Sequence, residues 1–395
     1  MKLEAGNYII EEIYSPKNYL INTEGVDFTI GEETEYYYTT YGAFVVVEFE
    51  NTPIKGQVEI VKSGETFVIE DNTFKYGETK LERIKFNLYA DEDIKSSDGN
   101  YLYYNKGDLI EILVSNNRGY AISKELPLGK YFLVEVETKD NYVLDTKEYH
   151  FELTAKDNKT AIVYEKYETL NYLKKGDLEF TKTDLVDGEP IPNTVIEIYT
   201  EKDELIFSGK TDKNGFISLK NIPIGRFYIK EREAATGFVL SDENVYFEIK
   251  ENNEIVKATM TNKPITGKLE FTKVDLATSE PIPNTLIEVY TEKDELVFSG
   301  HTDDKGMLIV EGLKYGKYYI LEKETASEDY MLNTEKTYFE IKEDEEIVKA
   351  KMTNEKVIVE VPDTLTKQPY KVYIISLAIA LMGVCILLYG NQKKR

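Results

Sequence analysis

Residues 178–199 (LEFTKTDLVDGEPIPNTVIEIY) recur at 269–290 (LEFTKVDLATSEPIPNTLIEVY), an offset of 91 residues. The same offset carries 225–231 (GRFYIKE) onto 316–322 (GKYYILE), and an offset of 92 carries 245–250 (VYFEIK) onto 337–342 (TYFEIK). A third, more divergent copy covers residues 56–172, with Phe86-Asn87-Leu88-Tyr89, Leu126-Pro127-Leu128-Gly129-Lys130-Tyr131 and Tyr142-Val143-Leu144 in corresponding places. A chain with this period is a tandem array, and each unit must close its own core within about 90 residues.

Inside each unit, short runs of Val, Ile, Tyr and Phe alternate with polar residues, the period-two signature of half-buried strands. Asp187-Gly188, Asn214-Gly215 and Lys305-Gly306 supply turns between them. No long apolar stripe of helical period precedes the C-terminal stretch, so each unit is expected to be a small antiparallel β-sandwich. Composition narrows the function. Acidic residues number 72 against 48 basic ones, a net charge of −24, which disfavours nucleic acid and peripheral binding to anionic lipid. An apolar content of 42% with 31 tyrosines excludes a disordered acidic tail. The single cysteine, Cys385, rules out disulfides within the chain and Cys-rich metal sites. His150 and His301 are the only histidines and read as surface residues. The cluster Glu343-Asp344-Glu345-Glu346 reads as a solvated turn, no phosphate-binding loop is present, and no cofactor or metal is expected.

The units resemble the B-type domain of the collagen adhesin Cna, also called the SpaA-like or prealbumin-like pilin domain. The resemblance rests on the opening G-x-L/V-x-x-x-K strand, the x-P-x-G-x-Y/F-x-I/L-x-E segment and a closing strand that ends in Asn. It implies an all-β fold of tandem prealbumin-like (inverse Ig-like) β-sandwich domains. Residues 1–52 match the second half of a further copy. Leu3-Glu4-Ala5-Gly6-Asn7-Tyr8-Ile9-Ile10-Glu11-Glu12 matches the segment ending at Glu135, Ser15-Pro16-Lys17-Asn18-Tyr19-Leu20 the family's A-P-x-G-Y turn, and Val45–Asn51 the closing strand. Neither an opening strand nor a signal peptide precedes them. The expectation is a truncated sequence, the alternative a permuted or strand-sharing first domain.

In a strand, residues i, i+2 and i+4 share a face. Val58, Ile60 and Lys62 share one, as do Leu178, Phe180 and Lys182, and Leu269, Phe271 and Lys273; each run places an ammonium on an apolar face. Tyr131-Leu133-Glu135, Phe227-Ile229-Glu231 and Tyr318-Ile320-Glu322 likewise end in an acid, and Tyr8-Ile10-Glu12 repeats this in the partial copy. Closing strands deliver Asn262, Asn354 and Asn51 on apolar faces, while Asn171 follows Tyr167 and Thr169. From Asn51 to Lys62, Asn171 to Lys182 and Asn262 to Lys273 the separation is eleven residues each time. Burying an unpaired charge costs several kcal/mol. One explanation is an ordinary buried Lys–Glu ion pair. The resemblance implies a sharper one, an intramolecular isopeptide bond. Low dielectric favours the neutral forms of amine and acid, the amine attacks the Asn carbonyl, and the acid polarises that carbonyl and shuttles protons. The triplets would be Lys62/Glu135/Asn171, Lys182/Glu231/Asn262 and Lys273/Glu322/Asn354, with Glu12 and Asn51 as remnants of the partial copy.

Residues 372–390 (VYIISLAIALMGVCILLYG) carry no charge and precede Asn391-Gln392-Lys393-Lys394-Arg395. As a helix the run spans roughly 28 Å, about one hydrocarbon core. It is expected to be a transmembrane helix with a cytoplasmic basic tail, which places the rest outside the cell; a buried core helix is the other reading. Upstream, Val361-Pro362-Asp363-Thr364-Leu365 completes an order of pentapeptide, apolar helix and basic tail that resembles the cell-wall sorting signal of Gram-positive surface proteins. There a sortase cleaves after the Thr of LPxTG and transfers its carboxyl to peptidoglycan or to another pilin. Val361 replaces the Leu of that motif and Leu365 its Gly, so a plain membrane anchor is the alternative.

The expected order is a half domain at 1–52, domains at 56–172, 176–263 and 267–355, a linker with the sorting-like motif at 356–371, a transmembrane helix at 372–390 and a tail at 391–395. The resemblance implies a surface-anchored stalk or pilin-like protein that is not an enzyme and holds upstream ligand-binding domains away from the cell. In the other reading, it is an adhesin whose own domains bind host matrix or glycan, to which Tyr36-Tyr37-Tyr38-Thr39-Thr40-Tyr41 would contribute.

Overall fold

The computed structural model describes residues 2–358, which are built from strands joined by turns. The apolar run 372–390, the basic tail and the pentapeptide Val361–Leu365 lie outside the described residues. Among the described residues no helix is long and apolar enough to cross a membrane. Two compact units divide the chain. Residues up to 270 with Ile309–Tyr318 and Tyr338–Val348 form one, and Phe271–Leu308, Tyr319–Thr337 and the residues from Lys349 form the other.

The second repeat shows the plan most simply. Its opening strand, Lys175–Asp184, lies between Phe216–Pro223 and the closing strand Ile255–Asn262. The other sheet has the order Leu205–Lys210, Val195–Thr200, Gly225–Glu233, Val245–Ile249. Inward residues Leu178, Phe180, Ile196, Ile198, Phe227, Ile229 and Met260 fill the space between the sheets. In the first repeat the opening strand is Lys55–Glu70, the acid-bearing strand Gly129–Glu137 and the closing strand Ile162–Asn171. In the third repeat the corresponding strands are Thr266–Asp275, Gly316–Glu324 and Glu346–Asn354.

One expectation requires correction. The closing strand pairs parallel to the opening strand, not antiparallel, with Thr169 opposite Lys62 in the first repeat and Met260 opposite Lys182 in the second. Alternation along a strand records which face a side chain takes but carries no information about the partner's direction. The parallel register matters for the site. Asn171 and Asn262 stand two residues beyond the partner of each lysine, on the same face, at a diagonal that a long side chain can span.

The first repeat departs from the plan immediately after its lysine. Asp184 ends the second repeat's opening strand because its Oδ1 accepts from the Val186 amide at 2.7 Å. Asp275 Oδ1 accepts from the amides of Ala277 and Thr278 at 2.8 and 2.9 Å. Such side-chain turns compete with strand continuation. The first repeat has Gly64 in this place, where a Cβ would lie 2.4 Å from Leu81 Cδ1 and 2.6 Å from Tyr142 Cε1. Without the capping carboxylate the strand runs on to Glu70 and returns as Thr73–Lys80. Phe67, Ile69 and Phe74 of this hairpin pack against the second repeat's core. Lys175 Nζ lies 3.8 Å from the Tyr76 ring centre and 2.7 Å from Glu65 Oε2.

Candidate functional site

Each complete repeat buries one lysine, one glutamate and one asparagine at the same place between its sheets. Lys62, Lys182 and Lys273 are 0% exposed, and Glu135, Glu231, Glu322, Asn171, Asn262 and Asn354 no more than 2%. The opening strand brings the amine, the closing strand the amide, and the acid arrives from the opposite sheet. Of the residues proposed from sequence, all nine members of the three triplets are brought together.

In the first repeat Lys62 Nζ donates to Asn171 Oδ1 at 2.6 Å and stands 2.7 Å from Glu135 Oε2. Asn171 Nδ2 donates to Glu135 Oε1 at 2.5 Å and to Thr138 Oγ1 at 2.8 Å. In the second, Lys182 Nζ donates to Asn262 Oδ1 and lies 3.3 Å from Glu231 Oε2, while Asn262 Nδ2 donates to Glu231 Oε1 at 2.6 Å. The third differs in one contact. Lys273 Nζ donates to Glu322 Oε2 at 3.0 Å and Asn354 Nδ2 to Glu322 Oε1 at 2.6 Å, but Asn354 Oδ1 accepts no hydrogen bond. The carboxylate therefore bridges amine and amide in all three sites, and in the first two the amine already addresses the amide carbonyl.

Burial pushes the Lys62, Lys182 and Lys273 amines below the ordinary lysine range, against the opposing pull of the neighbouring glutamate. A lysine so depressed is a better nucleophile at neutral pH because more of it is unprotonated. The arrangement thus sets an amine against an amide carbonyl, with a carboxyl group bridging them and in place to move protons. Water is excluded from all of these side chains, which strengthens each polar interaction.

Several supporting groups were not legible in the sequence. The Ser241 amide donates to Glu231 Oε2, and the Asn333 amide to Glu322 Oε2, both at 2.9 Å. Main-chain donors leave no residue-type signature. Three glycines form a second set: the amides of Lys62, Lys182 and Lys273 donate to the carbonyls of Gly119, Gly215 and Gly306 at 2.7, 2.8 and 2.7 Å. At Gly215 φ is +66°, and a Cβ would lie 2.3 Å from Lys182 O. The recurrence of a Gly at corresponding places was the available signal, and it reads as an ordinary turn without the strand beside it.

Elsewhere, His150 hydrogen-bonds Asp91 at 2.8 Å and Glu148 at 3.2 Å on the surface, and the carboxylates raise its pKa. His301 is exposed. Among the described residues no group of three or more His, Cys, Asp or Glu side chains is placed to hold a metal. Glu12 and Asn51 meet outside the three complete repeats, where Asn51 Nδ2 donates to both carboxylate oxygens at 2.8 Å.

The family described as a prealbumin-like fold domain, SpaA, matches residues 65–168, 176–264 and 267–356. In the first repeat the match starts beyond Lys62, where the hairpin departs from the plan of the other two. Among solved structures, the Bacillus anthracis TIE protein is 31% identical, with a TM-score of 0.61, over 77% of this chain. The present chain spans about half of that one, 51%. A streptococcal ancillary pilin is 18% identical over 77% of this chain and 99% of its own, with a TM-score of 0.28. BcpA, the major pilin subunit of Bacillus cereus, is 15% identical over 77% and 100%, with a TM-score of 0.34. No curated protein matches the chain.

Proposed function

We propose, from the premise that this chain belongs to the SpaA family of prealbumin-like fold domains, that it is a pilin-like structural stalk at the surface of a Gram-positive-type bacterium, crosslinked within each repeat by a Lys–Asn isopeptide bond. The observation that carries the reading is the threefold burial of Lys, Glu and Asn between the first and last strands of a repeat. A simple ion pair needs no asparagine, and hydrophobic residues of similar volume commonly replace such a pair without loss of stability. In the proposed reaction Lys Nζ bonds to Asn Cγ, Nδ2 leaves as ammonia, and the glutamate relays the protons.

A first-to-last strand bond suits an extended surface protein. The chain has one cysteine and hence no internal disulfide, while pulling and proteolysis act on whatever opens. Tension applied at the ends of a repeat would pass through the amide, leaving the intervening loop unstretched. Anchoring is assigned to 372–390 and the tail, with sortase cleavage after Thr364 as its covalent form and peptidoglycan or a second pilin as acceptor. The test is the intact mass of the full chain under denaturing, reducing conditions. Each amide removes one ammonia, about 17 Da, so three crosslinks lower the mass by about 51 Da. An unshifted mass refutes the crosslinked stalk.

A further inference from the structure

The three buried centres are supported differently, and the difference falls on the amide nitrogen. In the first repeat Asn171 Nδ2 has two acceptors, Glu135 Oε1 at 2.5 Å and Thr138 Oγ1 at 2.8 Å. Its Oδ1 accepts from Lys62, so the amide is held at both ends. Asn262 Nδ2 and Asn354 Nδ2 donate to their glutamates alone. The acids show the reverse. Glu231 Oε2 and Glu322 Oε2 accept the amides of Ser241 and Asn333, whereas Glu135 Oε2, 2.7 Å from Lys62 Nζ, receives no main-chain amide. Asp145 follows Glu135 by the same ten residues as Ser241 follows Glu231. Its carboxylate is engaged instead by the Lys147 amide and the Tyr149 hydroxyl. The first repeat thus lacks a donor on its acid and has a hydroxyl on its amide.

The turn after the acid explains why only this repeat has the contact. Thr138 directly follows the strand Gly129–Glu137, in the turn that leads to Tyr142. Tyr142 bridges Leu173, and the Lys174 amide donates to Asn141 O at 2.9 Å. The turn is therefore tied to the residues that follow Asn171, which brings Thr138 to the amide. In the second repeat the turn from Glu231 to Phe238 has the same length, but Ala234 takes the place of Thr138. In the third the turn from Glu322 to Tyr330 is one residue longer, and Thr325 Oγ1 donates to Ser327 O at 3.0 Å.

From these contacts we infer that Thr138 is a further residue of the first crosslinking centre, which holds the Asn171 amide for attack and stabilises its nitrogen as it leaves. The inference rests on the reading of the buried triplets as crosslinking centres. In the step, neutral Lys62 Nζ bonds to Asn171 Cγ and one of its protons passes through Glu135 to Nδ2. The Cγ–Nδ2 bond then breaks and ammonia departs, while Thr138 neither gains nor loses a proton. In the resting amide the hydrogen bond to Thr138 joins two neutral groups. Once Cγ is tetrahedral and Nδ2 has taken up the proton, the donor is ammonium-like, and such a bond is about twice as strong. A contact that strengthens towards the transition state accelerates the step.

The test is Thr138→Ala in the full chain, a substitution for which Ala234 is the precedent in a turn of equal length. Chains made by cell-free synthesis are quenched in acidic denaturant at intervals and digested. Mass spectrometry then reads the fraction in which the Lys62 and Asn171 peptides are joined. Joining in the first repeat should be roughly tenfold slower, with the other two repeats unchanged and the rate recovered in Thr138→Ser. In an Asn171→Ala background, where no bond forms there, Thr138→Ala should leave hydrogen exchange of Gly129–Glu137 unchanged. Faster exchange in that background would make the role structural and overturn the inference. So would an unchanged joining rate in Thr138→Ala, no recovery with serine, or a parent chain that joins the second and third repeats but not the first. Absence of all three bonds from the parent chain refutes the crosslinking reading itself, and the inference with it.

Discussion

Replacing Glu231 by glutamine keeps the size of the side chain and removes only the group that can relay protons. If the carboxylate drives bond formation, the second repeat of Glu231→Gln should fold with Lys182 and Asn262 adjacent but unjoined. The bond would close a loop between residues 80 apart in sequence. The chain-entropy relation for crosslinks puts the stabilisation from a loop of that length at about 4.5 kcal/mol at 25 °C. A loss of that size corresponds to roughly 2,000-fold in the opening equilibrium of the repeat. It also corresponds to a fall in melting temperature of roughly 20–35 °C for a domain of this size. Hydrogen exchange read by mass spectrometry resolves the repeats within the full chain. Amides of Lys175–Asp184 and Ile255–Asn262 should exchange about three orders of magnitude faster, and the mass should rise by about 16 Da relative to the parent chain, one ammonia of about 17 Da regained less about 1 Da for the change of Glu to Gln. Retention of the ammonia deficit in Glu231→Gln would refute the role of the acid. Loss of the deficit with unchanged exchange would refute the role of the bond in stability.

Other outcomes follow from the same geometry. Asn171→Ala should restore one ammonia to the intact mass, leaving the second and third repeats crosslinked. The burial-lowered pKa of Lys182 fixes the sign of a pH effect in an uncrosslinked repeat. The folded state binds the proton less tightly than the unfolded chain, so the penalty is full below the folded pKa and fades as pH rises towards the unfolded value near 10.5. The stability gap between Asn262→Ala and Lys182→Met/Asn262→Ala, measured by urea titration, should therefore narrow as pH rises towards 10.5. Gly215→Ala places a Cβ 2.3 Å from Lys182 O at a φ of +66°. It should cost more than about 2 kcal/mol and lower the crosslinked fraction seen by mass. Phe67→Ala removes a ring that packs against the cores of the first and second repeats. It should speed hydrogen exchange in both, by an amount equivalent to about 2 kcal/mol.

The lysines and acids were legible because an ion on the apolar parity of a strand is an exception that the period-two pattern exposes. Lys182 follows Leu178 and Phe180 on one face, and Glu231 follows Phe227 and Ile229 on another. Asn171 was less legible because Tyr167 and Thr169 precede it, yet it is as buried as Asn262. The hairpin of the first repeat was not foreseen. In sequence Lys62-Ser63-Gly64 only departs from the Lys-Thr-Asp and Lys-Val-Asp of the other copies, whereas in the fold the missing aspartate releases the strand and the glycine lets Leu81 and Tyr142 close over it.

By itself the sequence determined the repeat, the strand content and the faces on which Lys, Glu and Asn stand, since these depend on residues near in the chain and on the two-residue pleat. Tertiary structure decided the direction in which the closing strand pairs and which main-chain amides hold the acids. It also decided that Asn262, at the far end of its repeat, comes within hydrogen-bonding reach of Lys182. Those outcomes depend on how two sheets close over one core, an arrangement of segments distant in sequence that no local pattern encodes.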